Sequence, residues 1–182
     1  HKILVFLQWD GIYIERKKML KDALNFLRLK VQVVEHYDKY PMSSILLIFV
    51  LLEIPTYFID GSSIIEIISG VAITLLVYVF FIYWIFRKVK TYSFILACKF
   101  FGILLIGISI PLTALQLIGT SFEDLTIVLS SIIFMIYITG ISTSKAMGVS
   151  KTYALSGIVL SIVALIILFI IYFMIEMMIL NV

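Results

Sequence analysis

Past Pro41 the chain is a succession of long apolar runs broken by short polar punctuation, and before Pro41 it is mixed and charged. Five runs stand out: Ser44 to Ile59, Ile64 to Phe86, Tyr92 to Ile118, Leu125 to Ile141 and Tyr153 to Leu180. A helix needs about 20 apolar residues to cross about 30 Å of hydrocarbon. Only helices or closed barrels satisfy their backbone hydrogen bonds there. These runs are apolar at successive positions and lack the alternation of a barrel strand, so the pattern predicts helices. The first run is the shortest and is interrupted by Glu53 and Pro55. Ser121-Phe-Glu-Asp124 places a hydroxyl three residues before an acid ahead of the fourth run, which predicts a capped helix start. Tyr57, Phe58, Tyr83, Trp84 and Tyr92 fall near run edges, where an interfacial aromatic belt is expected.

From Glu15 onward Leu20, Leu24, Leu27, Val31 and Val34 recur at helical spacing with Ala23 beside them. Arg16, Lys17, Lys18, Lys21 and Arg28 fall mainly elsewhere. This predicts a basic amphipathic helix lying in the headgroup plane, with those five side chains at the membrane surface. Ahead of it, Lys2–Gln8 and Gly11–Glu15 are β-prone around Asp10-Gly11, which leaves a small β-containing cap as an alternative. The apolar run Ile3–Leu7 is shorter than a signal-peptide core, so no cleavable signal peptide is expected.

Composition agrees with a lipid environment: 63% of residues are hydrophobic and 14% charged, against about 45–50% and 25% in soluble domains. Charge then orients the chain. With five spans, 13 of the 14 Lys/Arg fall on the side of the amino-terminal segment, Arg87–Thr91 and Ser142–Thr152. The opposite loops carry Asp60, Glu123 and Asp124. The positive-inside rule predicts a multi-pass cell-membrane protein with a cytoplasmic amino terminus and an external carboxyl terminus. The expected fold is all-α and polytopic: a cytoplasmic segment over 1–41 and a five-helix transmembrane domain over 42–182.

Chemistry is sparse. His1 and His36 are the only histidines and neither lies in a run, which argues against a histidine metal site or an intramembrane metalloprotease. Cys98 is the single cysteine. There is no nucleophile elbow, phosphate loop or dinucleotide fingerprint, so neither an enzyme, a cofactor nor a nucleic-acid partner is expected. Glu53, Glu66, Lys99 and Glu176 lie in or beside the runs, where an ionisable group costs about 2.5–3.5 kcal/mol at a span centre. Glu66 and Glu176 lie close enough to span ends to reach headgroups, and Lys99 can snorkel. Glu53, Glu176 and Lys99 are the candidate intramembrane functional residues, with Glu53 foremost because Pro55 frees a backbone carbonyl beside it. Gly102 and Gly107 are five residues apart and do not form a Gly-x-x-x-Gly packing face.

The stretch Ile141-Ser-Thr-Ser-Lys-Ala-Met-Gly-Val-Ser-Lys-Thr-Tyr-Ala154 resembles the turn before the last span in prokaryotic relatives of the Yip family, with Gly148, Ser150, Lys151 and Ala154 matching. The resemblance implies five spans, a cytoplasmic amino-terminal segment and a non-enzymatic membrane role. Eukaryotic members act in vesicle traffic and engage small GTPases, but their Asp-Leu-Tyr and Tyr-Gly-Tyr motifs are absent, so GTPase binding does not carry over. The expected function is an accessory or scaffold subunit of a membrane assembly, partnered by the bilayer and by another membrane protein or a second copy. The alternative is a small transporter or channel protomer using carboxylates of the outer leaflet in a homo-oligomer.

Overall fold

The computed structural model describes residues 16–60, 64–88, 92–117 and 125–180, and every regular element in them is helical. Helix α1 covers residues 16–27, and a 3₁₀ helix spans Val34–Lys39. Five long helices follow: α2 Met42–Asp60, α3 Ile64–Phe86, α4 Phe94–Leu117, α5 Leu125–Met147 and α6 Lys151–Leu180. The Ser121–Asp124 cap and the β-prone pieces before Glu15 lie outside the described residues.

Among the described residues, three stretches are long and apolar enough to cross a membrane: Phe94–Leu115, Leu129–Met147 and Lys151–Leu168. Shorter apolar stretches, Met42–Leu52 in α2 and Leu76–Phe86 in α3, pack with them. Helix α4 lies chiefly along α2, α5 along α6, and α3 against α6 and α4. The core gathers where α2, α4 and α6 begin and α3 and α5 end, around Ile45, Ile82, Phe86, Phe100, Phe101 and Ile158. Burying a side chain of this size stabilises by about 1.5–3 kcal/mol in water. Within lipid, close packing takes over that role.

Two glycines of α4 make the packing possible. A Cβ on Gly102 would lie 2.7 Å from Ile45 Cγ2 of α2, and one on Gly107 would land on the Ala23 carbonyl of α1. Five residues advance a helix by about 140°. The spacing that fails as a single packing face therefore serves two neighbours on different faces.

One expectation is corrected. The polar stretch from Ser142 predicts a loop to Thr152, yet α5 continues to Met147 and only Gly148–Ser150 turn. Ser142 and Thr143 are wholly buried and Ser144 nearly so, so this last turn and a half is packed inside protein. Ser144 Oγ donates to the Val149 carbonyl at 2.7 Å, whereas the Ser142 and Thr143 hydroxyls are enclosed without a partner among the described residues. The turn itself follows from local chemistry. Gly148 adopts φ +69°, the left-handed region that costs other residues about 1–2 kcal/mol. The Val149 N–H then reaches back to the Ser144 carbonyl at 3.1 Å. Ser150 starts α6, its Oγ accepting the Tyr153 N–H at 3.2 Å.

Candidate functional site

Residues 16–40 pack as a cap along the first half of α4, from Asp38 at Lys99 to Ala23 at Gly107. Helix α1 turns Met19, Ala23 and Phe26 inward, each at most 1% exposed and spaced i, i+4, i+7. The face read from the sequence divides: Leu20 and Leu24 are 36% and 42% exposed, while Val31 and Val34 lie beyond the helix. A stripe of leucines was legible in the sequence, but the bundle selects the smaller neighbouring stripe. Gly107 faces the Ala23 main chain, so the missing side chain on α4 is what allows the close approach.

Helix α1 ends in a tight turn. The Leu29 N–H bonds the Phe26 carbonyl and the Lys30 N–H the Asn25 carbonyl, both at 2.9 Å. Leu29 holds φ +53°, a position usually taken by glycine. Its carbonyl accepts from Lys145 Nζ at 2.7 Å, which sets a cation at the negative end of the helix and ties the cap to α5.

The chain then returns through the 3₁₀ helix to Tyr40. Tyr37 stacks on Phe26 at 5.3 Å between ring centroids, and both rings meet the edge of Phe100 from α4 at 5.3 and 5.7 Å. Such aromatic pairs contribute about 0.5–1.5 kcal/mol beyond their buried area. Burial pushes the Tyr37 hydroxyl up to about 12, and its oxygen accepts the Gln32 N–H at 3.3 Å.

Asp22 is the polar centre of the cap. Tyr40 OH donates to its Oδ2 at 2.6 Å, and His36 Nε2 lies 2.8 Å from the same oxygen. Lys39 Nζ is 3.7 Å from Oδ2 and 2.8 Å from His36 Nε2. One imidazole nitrogen cannot donate to Asp22 and accept from Lys39 together, so the proton on Nε2 decides which bond is made. Burial alone would raise the Asp22 carboxyl. The Tyr40 and His36 hydrogen bonds, with the His36 and Lys39 charges, more than offset that and hold it below its usual range.

Lys99 of α4 donates to the Asp38 main-chain carbonyl at 2.6 Å and to Asp38 Oδ1 at 2.7 Å. The structure thus joins Lys99, singled out as an intramembrane cation, to a residue 61 positions earlier. Glu53 falls in α2, Glu66 in α3 and Glu176 in α6, and their side chains lie outside the described residues. Of the predicted surface residues, Lys17, Lys18, Lys21 and Arg28 are exposed. Arg16 is half-buried, with its Nε enclosed. Sequence reasoning missed Asp22, Asp38 and Tyr40. The available signal was His36, Lys39 and Tyr40 at i, i+3 and i+4, which places three polar groups on one side of a turn.

Among the described residues no three His, Cys, Asp or Glu side chains converge as a metal site would require. Among the described residues the fold is all-helical, with helices long and apolar enough to cross a membrane and a core covered by the cap. Compared with known protein families, with characterised proteins and with solved structures, the chain matches none.

Proposed function

We propose that this chain is a non-enzymatic, five-span membrane protein that serves as an accessory or scaffold subunit, with its capped, basic end in the cytoplasm. The observation that carries the reading is the filled end of the bundle. Phe26 and Tyr37 of the cap and Phe100 and Phe101 of α4 are wholly or almost wholly buried, and Lys99–Asp38 and Lys145–Leu29 bind the cap to α4 and α5. A packed, aromatic-filled end supports a structural role, whereas a conduit needs polar lining.

The outer face of the cap gives this end its contact surface. Lys17, Lys18, Lys21 and Arg28 project from the bundle with Leu20 and Leu24 between them. Each basic residue near an anionic leaflet contributes about 1 kcal/mol of attraction. Helix α1 then joins bundle and headgroups through two different faces. A Yip-like relationship belongs to the same proposal. Gly148, Ser150 and Ala154 are the left-handed turn residue, the helix-starting hydroxyl and a wholly buried small contact, the residue types such a turn requires.

The test is native mass spectrometry of the full chain extracted gently from its own membrane, with ion flux measured after reconstitution. Co-purification with a different membrane protein and absence of flux are the expected results. Flux that Glu53→Gln abolishes would overturn the scaffold reading and establish the transporter.

A further inference from the structure

We draw no further inference here: the strongest candidate, the exposed basic stripe of α1 in the cap, where Lys17, Lys21 and Arg28 alternate with Leu20 and Leu24, belongs to the contact surface already described, and nothing in the structure shows what else covers it.

Discussion

Replacing Lys99 by methionine keeps the length and packing of the side chain and removes its charge. Two bonds are lost, one to the Asp38 carbonyl and one to the Asp38 carboxylate, at 2.6 and 2.7 Å. They are unequal in their surroundings. The Lys99 side chain is 15% exposed, whereas that of Asp38 is 65% exposed. The carboxylate is therefore well solvated, and its pairing contributes at most about 1 kcal/mol. The bond to the main-chain carbonyl is charge-assisted and contributes about 1.5–3 kcal/mol. Lys99→Met is expected to weaken cap closure by about 2–3 kcal/mol, or roughly thirty- to a hundred-and-fortyfold in the opening equilibrium. Asp38→Asn removes only the solvated partner and leaves the carbonyl, so its effect stays below about 1 kcal/mol. The double variant then matches Lys99→Met alone, because neither bond survives the loss of the amine. Hydrogen exchange of residues 16–40 in detergent micelles, read by mass spectrometry, measures all three. If Asp38→Asn opens the cap as much as Lys99→Met, or if the two effects add, Lys99 does not act through the carbonyl and the reasoning fails.

Three further outcomes follow from the same geometry. Gly107→Ala gains about 1 kcal/mol of helix propensity, but its Cβ lands on the Ala23 backbone and costs about 1–3 kcal/mol or more, so α1 moves outward. Faster tryptic cleavage at Arg28 and Lys30 reports it, and unchanged cleavage would count against the close contact. Asp22 is held below its unfolded value, so its stabilisation of the cap is complete above about pH 4 and fades as the pH falls through the lower folded value. Asp22→Asn should flatten that acid limb in hydrogen exchange; an identical limb in the variant would assign it to other carboxylates. Lys145→Met removes the cation from the Leu29 carbonyl and weakens the end of α1 by about 1–2 kcal/mol, which exchange rates at residues 24–30 measure. No change there would show that the left-handed Leu29 holds without Lys145.

The helices were legible in the sequence because hydropathy acts along the chain, one residue after another. The run from Ile64 to Phe86 coincides with α3, and that from Leu125 matches the start of α5. Gly148 and Ser150 entered through the resemblance of their stretch to a known turn, and they fall at the turn between α5 and α6. Tertiary structure decided what depends on a second surface. Ser142 to Met147 read as loop because their polarity is evident locally, whereas the packing that holds them helical comes from other helices. On α1 two apolar stripes compete, and only the bundle, with Gly107 opposite Ala23, selects Met19, Ala23 and Phe26 over Leu20 and Leu24. Lys99 looked like an unpaired charge in a span because its partner Asp38 is 61 positions away and reaches it only through the cap. Local free energies are written along the chain; the choice between faces, and the pairing of distant charges, arises only when helices meet.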